Sequence, residues 1–152
     1  MLLRYSFHVR PHRPLSAGHS RSQQAAAQLR PARGAERGHN PLCGDQLTVY
    51  ALLDGEQLRE LRFEGAGCAI SVASASLMTE AVKGKSRAEV AHLFGIVHDL
   101  LTRPDAPAPA ELGKLAALSG VRDFPARVKC ASLCWHTLNA ALAGAGAPVS
   151  TE

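Results

Sequence analysis

Residues 46–67 read Gln-Leu-Thr-Val-Tyr-Ala-Leu-Leu-Asp-Gly-Glu-Gln-Leu-Arg-Glu-Leu-Arg-Phe-Glu-Gly-Ala-Gly, which predicts an antiparallel pair of strands. Asp54 and Gly55 form a typical turn dipeptide between two β-prone runs. The second run alternates apolar and charged residues and directs Leu61 and Phe63 towards a core. The two predicted strands span 46–53 and 58–64.

Helical patterns follow this strand pair. Ser71 and Ser86 are the expected N-caps of the first two helices, because a serine hydroxyl accepts a hydrogen bond from the free N–H groups of the first turn. Trp135 and Leu138 are expected in the core of the last helix. The predicted helices cover about 71–83, 86–101, 110–118 and 125–142, and a proline-rich loop separates the second from the third.

The chain of 152 residues is long enough for one domain with a core of its own. Its net charge of +4 comes from residues 1–35, which carry six arginines and no acid, so the remainder has 11 basic and 13 acidic residues, or −2. We therefore expect no nucleic-acid partner. No apolar run approaches the roughly 18 residues of a membrane span, so we also expect no membrane partner.

The segment 1–37 has little apolar periodicity, and we expect a divergent basic arm that is disordered or loosely packed. An organellar transit peptide is the alternative, because the segment is rich in arginine and serine and poor in acids. It lacks the apolar stretch of a secretory leader, so we expect a cytoplasmic protein with reduced cysteines. The expected folded domain is 38–144, followed by a tail at 145–152.

Three of the four cysteines lie at predicted loops or helix starts, where functional side chains are commonly mounted. Cys43 precedes the first strand, Cys68 follows the second, and Cys130 lies near the start of the last helix. Asp45 adds a carboxylate beside the first thiol. Thiolates and a carboxylate can complete a tetrahedral zinc site, and thiolates also hold iron–sulfur clusters.

Three motifs in this order resemble the NifU/IscU-like iron–sulfur scaffold proteins, over about residues 38–142. They read His-Asn-Pro-Leu-Cys-Gly-Asp at 39–45, Gly-Ala-Gly-Cys-Ala-Ile-Ser-Val-Ala-Ser-Ala-Ser-Leu-Met at 65–78, and Phe-Pro-Ala-Arg-Val-Lys-Cys-Ala at 124–131. Two features resemble the SufU type in particular. One is an inserted segment around 99–121, and the other is Lys129 where IscU-like proteins place a histidine ligand.

The resemblance implies an α+β domain in which helices cover a small antiparallel sheet. It also implies Zn²⁺ bound by Cys43, Asp45, Cys68 and Cys130. In SufU-like proteins a SufS-type cysteine desulfurase is thought to displace the first cysteine from zinc, so Cys43 would accept sulfur as a persulfide and Arg127 would steady its charge. Such a protein has no independent turnover and serves downstream iron–sulfur assembly or apo-proteins.

Two other roles for the same residues remain open. A scaffold would assemble a transient [2Fe–2S] or [4Fe–4S] cluster on Cys43, Cys68 and Cys130 and pass it on. A structural zinc ion would only stabilise the fold. Cys134 is expected to be a buried packing residue, with a spare ligand or sulfur relay as the alternative, and His39 is a candidate to support the ligands.

Overall fold

The structure, a computed structural model, describes residues 35–144 and 146–151. Four strands, three α-helices and one 3-10 helix are present in this part of the chain. In chain order they are β1 (Ala35–Asn40), β2 (Asp45–Asp54), β3 (Gln57–Ala66), α1 (Ala69–Val82), α2 (Arg87–Thr102), the 3-10 helix (Ala110–Asp123), α3 (Pro125–Ala143) and β4 (Val149–Ser150). The predicted α+β class is confirmed.

The four strands form one mixed sheet in the order β3-β2-β1-β4. The predicted hairpin is confirmed, since β2 and β3 pair antiparallel and Asp54 and Gln57 form the pair next to the turn. A bulge between Leu52 and Leu53 shifts the register, so that Leu58 and Leu61, three residues apart, are both buried. The apolar face of β3 thus runs from Leu58 through Leu61 to Phe63.

Helices α1 and α3 cover the apolar face of the sheet. Helix α3 packs on β1 and β2, while α1 packs on β3 and against α3. Trp135 and Leu138 of α3 are buried as predicted, and the indole stacks on Phe94 of α2 with ring centroids 6.3 Å apart. This packing fixes α3 against the sheet and therefore fixes the position of Cys130.

Two helix starts show how well caps can be predicted. The Ser86 cap is confirmed: its Oγ accepts a hydrogen bond from the Glu89 N–H at 3.2 Å, and the Glu89 carboxylate accepts one from the Ser86 N–H. The Ser71 prediction was wrong. Helix α1 begins earlier, with Cys68 as its N-cap, because the Cys68 backbone is extended and its sulfur accepts a hydrogen bond from the Ser71 N–H at 3.4 Å.

The sheet extends beyond residues 38–144 at both ends. Strand β1 begins at Ala35, and the two residues of β4 pair with β1 in parallel. Buried Glu36 accepts a hydrogen bond from the Gly146 N–H, which ties the C-terminal segment to β1. Neither strand has a clear sequence pattern, since β1 is largely polar and β4 is very short. The predictions for residues 1–34, including the arm and the transit peptide, lie outside the described residues.

The third predicted helix is a longer 3-10 helix that continues to Asp123, past Gly120. Its backbone is kinked at Gly113, which has a positive φ of 50°. No helix among residues 35–144 and 146–151 combines the length and the apolar character needed to cross a membrane.

Close packing of β1 against α3 makes Gly38 sensitive to any side chain. A Cβ at this position would overlap the Thr137 hydroxyl and lie 3.1 Å from Leu133 Cδ1. We expect Gly38→Ala to lower the free energy of unfolding by about 1–3 kcal/mol, measured by urea denaturation. Gly95→Ala is the matched control, since a Cβ there meets no atom within 4 Å and α2 should gain about 0.5–1 kcal/mol. Equal stability of the Gly38 variant and the wild type would contradict this packing.

Candidate metal centre

Three separate segments meet at one end of the sheet. The turn from β1 to β2 provides Cys43, the start of β2 provides Asp45, and the second turn of α3 provides Cys130. One ligand atom from each of these three residues lies within 4.8 Å of the others. The Sγ atoms of Cys43 and Cys130 are 2.9 Å apart, and both cysteines are free thiols. This group of three residues could hold a metal ion.

The turn that carries Cys43 is shaped by its own sequence. Asn40 and Asp45 are paired at the end of the β1–β2 ladder, so residues 41–44 form the loop. The Asn40 Oδ1 accepts a hydrogen bond from the Leu42 N–H at 3.2 Å, as in an Asx turn. Gly44 closes the loop with a φ of 69°, which glycine adopts without strain. Cys43 therefore projects from a short turn and is half-buried.

Asp45 is a fully buried carboxylate with fixed partners. Its Oδ1 accepts a hydrogen bond from the Cys68 N–H at 2.8 Å, and its Oδ2 accepts one from Asn40 Nδ2 at 3.3 Å. Gly67 allows this close approach, because a Cβ there would lie 2.6 Å from Asp45 Oδ1. The carboxylate is thus oriented by the chain on both sides before any ligand is bound.

Cys68 lies beside this group and is not part of it. Its sulfur caps α1 by accepting the Ser71 N–H, while its backbone N–H holds Asp45. The cap position places the sulfur at the positive end of the helix dipole. The structure therefore brings Cys43, Asp45 and Cys130 together and places Cys68 next to them.

Cys130 is the most deeply buried thiol of the group. Burial raises the pKa of this thiol well above its ordinary value. Hydrogen bonds with Cys43, Asp45 and Cys68 raise that pKa further. Since a buried thiolate next to a carboxylate is unfavourable without a compensating cation, the donor set fits a bound divalent metal.

Arg127 places a cation at the exposed side of the site. Its guanidinium lies 3.8 Å from Cys43 Sγ, one turn before Cys130 on α3. The pKa of Arg127 is raised, first by a hydrogen bond with Cys130 and then by negative charge on Cys43 and Cys68. The guanidinium can thus steady negative charge on the Cys43 sulfur.

Residues 12–131 match the family model described as the NifU-like N terminal domain. The chain belongs to this family. The resemblance to iron–sulfur cluster assembly proteins of the SufU type is thereby confirmed.

Two relatives are named for different functions. The chain is 42% identical over 105 residues to the zinc-dependent sulfurtransferase SufU of Bacillus subtilis, an alignment that covers 69% of this chain and 71% of the relative. It is 40% identical over 104 residues to the iron–sulfur cluster assembly scaffold protein IscU of Streptococcus pyogenes, which covers 68% of this chain and 65% of the relative. Both functions occur within the family.

Solved structures agree with the fold. A SUF-system scaffold protein from Fervidobacterium islandicum is 35% identical with a TM-score of 0.69, covering 75% of this chain and 83% of that protein. The N-terminal part of a NifU-like protein from Brucella abortus, at 24% identity, has a TM-score of 0.70 and covers 76% of this chain and 81% of that one. The second likeness supports the fold alone.

Asn40 is a site residue that the sequence motifs did not single out. It is fully buried, and its Nδ2 donates to both Asp45 Oδ2 and Cys130 Sγ, the latter at 3.4 Å. The sequence feature that could have identified Asn40 is its position directly before Pro41, near the start of the first motif. His39, the candidate for this role in the sequence, is exposed through the alternation along β1.

Cys134 is buried and forms no part of the metal group. Its sulfur lies 3.4 Å from the Ser74 hydroxyl in the packing between α1 and α3, and burial raises the pKa of its thiol to about 12. The expectation of a packing cysteine agrees with this environment. A thiol with this pKa is almost entirely protonated near neutral pH and is a poor nucleophile.

Asn40→Ala should weaken metal binding about 10- to 100-fold, because the variant removes the donor that orients Asp45 and Cys130. A zinc competition titration with a chromophoric chelator measures this effect. His39→Ala changes the adjacent exposed residue and is expected to bind zinc as the wild type does. Unchanged affinity in the Asn40 variant would show that the amide does not orient the ligands.

Proposed function

We propose that this chain accepts sulfur from a SufS-type cysteine desulfurase for iron–sulfur cluster assembly, with Cys43 as the acceptor. The proposal rests on one observation: the residues of the metal group differ in how accessible they are to an incoming molecule. Cys130 and Asp45 are buried, whereas Cys43 is accessible on a short turn with Arg127 beside its sulfur. An incoming donor can therefore reach one thiol of the group more easily than the others.

The proposed transfer is a thiol exchange in which electrons balance without an external oxidant. The Cys43 thiolate attacks the terminal sulfur of a persulfide on the desulfurase, and a new S–S bond forms on Cys43. The S–S bond within the donor persulfide breaks, and the donor cysteine leaves as a thiolate. Arg127 stabilises the negative charge on the terminal sulfur that Cys43 now carries.

We propose zinc as the resident metal, held by Cys43, Asp45, Cys68 and Cys130. Thiolate sulfur and carboxylate oxygen are both ligands of tetrahedral zinc. Cys68 lies next to the other three residues, so its sulfur would be the fourth ligand. Bound zinc would keep its thiolate ligands deprotonated at neutral pH and would add no redox chemistry of its own. The chain contributes the fixed Asp45 carboxylate and the buried Cys130, while the glycine-flanked turn lets Cys43 move.

A cluster scaffold is the second candidate, and the similarity to the IscU of Streptococcus pyogenes favours it. It would assemble a labile cluster on Cys43, Cys68 and Cys130. The residue before Cys130 is Lys129. Its ammonium group has no free lone pair with which to bind a metal. This residue supports the sulfur acceptor over the scaffold, because IscU-like proteins place a histidine ligand at this position.

Metal content and cluster transfer distinguish the two functions. The protein is purified anaerobically and analysed for zinc and iron, then incubated with a SufS-type desulfurase, cysteine and ferrous iron. We expect about one zinc per chain and no stable cluster. A stable cluster that forms in the absence of zinc and passes to an apo-ferredoxin would overturn the sulfur-acceptor function in favour of the scaffold.

We further propose that the protein works in the cytoplasm and passes its sulfur to downstream iron–sulfur assembly proteins. The surplus of acidic over basic residues after position 35 argues against a nucleic-acid partner. The proposed zinc-held thiolates also require a reducing compartment.

A further inference from the structure

Cys43 and Cys130 form a pair of neighbouring thiols that sulfur transfer to Cys43 alone does not require. Their Sγ atoms are 2.9 Å apart, and the Cys130 S–H donates to the Cys43 sulfur. A disulfide bond is about 2.05 Å long, so the two atoms would have to approach by about 0.9 Å. A small local movement can therefore join the two thiols.

The chain holds the two members of this pair with different firmness. Cys43 lies on the turn of residues 41–44, and Gly44 beside it gives the turn conformational freedom. Cys130 lies on α3, which packs on the sheet, and its sulfur accepts a hydrogen bond from Asn40 Nδ2 at 3.4 Å. Cys43 can thus move towards a partner whose position is fixed.

Exposure gives the two thiols different parts in an oxidation. Cys43 is half-buried, with the Arg127 guanidinium 3.8 Å from its sulfur, whereas Cys130 is fully buried. An oxidant that arrives from solvent therefore meets Cys43 first, and Cys130 lies directly behind it. An accessible thiol beside a cation and next to a second thiol is the usual arrangement of a redox-sensitive cysteine.

We propose that Cys43 and Cys130 are an oxidation site, at which a peroxide closes a disulfide that releases zinc and stops sulfur acceptance. The regulatory consequence rests on the proposed function, because it requires Cys43 to be the acceptor. The disulfide itself requires only the two thiols. The same turn would then serve sulfur transfer under reducing conditions and shut it off under oxidising ones.

Atoms and electrons balance with hydrogen peroxide as the oxidant. The Cys43 thiolate attacks one peroxide oxygen, the O–O bond breaks, and the leaving hydroxide takes a proton to become water. Cys43 is then a sulfenic acid. The Cys130 sulfur attacks the Cys43 sulfur, so that the S–S bond forms and the S–O bond breaks. The departing hydroxide takes the proton of the Cys130 thiol, and one peroxide has been reduced to two waters.

Zinc binding and this disulfide exclude each other. A cysteine binds zinc as a thiolate, and a sulfur atom in a disulfide no longer carries that negative charge. The disulfide would remove two of the four proposed ligands at once and leave Asp45 and Cys68. A dithiol reductant should reverse the change, since thiol exchange reopens the disulfide.

The test treats the zinc-loaded protein with hydrogen peroxide and then alkylates and maps its cysteines. We expect the loss of two hydrogen atoms in the intact mass, a peptide pair linked through Cys43 and Cys130, and alkylated Cys68 and Cys134. A chromophoric indicator should detect one zinc released for each disulfide formed. Sulfur acceptance from the desulfurase should fall about 100-fold and return after treatment with dithiothreitol.

Two variants separate the proposed disulfide from general oxidation. Cys134→Ala is the matched control, because Cys134 is buried against Ser74, and it should form the same disulfide as the wild type. Cys130→Ser removes the thiol that attacks the sulfenic acid. In this variant peroxide should carry Cys43 on to the sulfinic acid, which dithiothreitol does not reduce.

The outcomes keep the oxidation site and the acceptor distinguishable. A disulfide between other cysteines, or a wild-type Cys43 that becomes a sulfinic acid without any disulfide, would overturn the oxidation site. If the Cys43–Cys130 disulfide forms while the desulfurase loads only other cysteines, the oxidation site stands and the proposed acceptor fails. If sulfur reaches Cys43 but peroxide does not link it to Cys130, the acceptor stands and the oxidation site fails.

Discussion

Cys43→Ser is expected to remain folded and to lose at least 100-fold of its rate of sulfur acceptance from the desulfurase. The side chain is accessible on a turn and contributes little to the core, so its replacement by a similar shape should leave the fold intact. The hydroxyl of serine is a far weaker nucleophile than a thiolate, and the exchange reaction requires the thiolate. Radioactive sulfur from labelled cysteine, counted on the protein after gel filtration, measures the rate.

Cys134→Ala is the matched control for this experiment. Cys134 is buried against Ser74 and has a pKa raised to about 12, so its loss should reduce stability slightly and leave sulfur acceptance unchanged. Wild-type sulfur loading in the Cys43 variant, or loss of loading in the Cys134 variant, would show that the wrong thiol has been chosen.

Asp45→Asn should weaken zinc binding about 100- to 1,000-fold. Structural zinc sites are worth about 10–16 kcal/mol, and an equal share among four ligands is about 2.5–4 kcal/mol for each. The amide has the size of the carboxylate but lacks the negative charge that offsets the metal. Its NH₂ group would also face either the Cys68 N–H or the Asn40 Nδ2, two donors that now point at Asp45. A zinc competition titration checks the loss of affinity.

The control makes the same aspartate-to-asparagine substitution at an exposed carboxylate. Asp105 lies in the loop after α2, is exposed, and forms no ion pair with the residues that the structure describes. Asp105→Asn is expected to bind zinc as the wild type does. Equal zinc affinity in the Asp45 variant would remove this carboxylate from the ligand set and contradict the proposed site.

Elements with strong local patterns could be predicted from the sequence. The turn at Asp54 and Gly55, the core-facing Leu61 and Phe63 of β3 and the Ser86 cap depend on neighbouring residues, and the structure confirms all three. Strands β1 and β4 were missed, because their pairing depends on contacts between distant parts of the chain. The polar character of β1 also conceals its buried face, where Glu36 and Asn40 alternate with exposed residues.

The site could be predicted in composition and less well in geometry. The motifs identify the residues that meet, since Cys43, Asp45 and Cys130 do lie together. The part played by Asn40 depends on the approach of α3 to the β1–β2 turn, across 90 residues of sequence. The cap formed by the Cys68 sulfur likewise depends on the exact start of α1, which helix propensities define poorly.

The central claim is that Cys43 receives the sulfur, and site-resolved persulfide mapping tests it most directly. The zinc-loaded protein is incubated with the desulfurase and cysteine, alkylated, digested under non-reducing conditions and analysed by mass spectrometry. We predict an additional sulfur on the peptide that contains Cys43. Sulfur found on Cys68 or Cys130 and never on Cys43 would contradict the account.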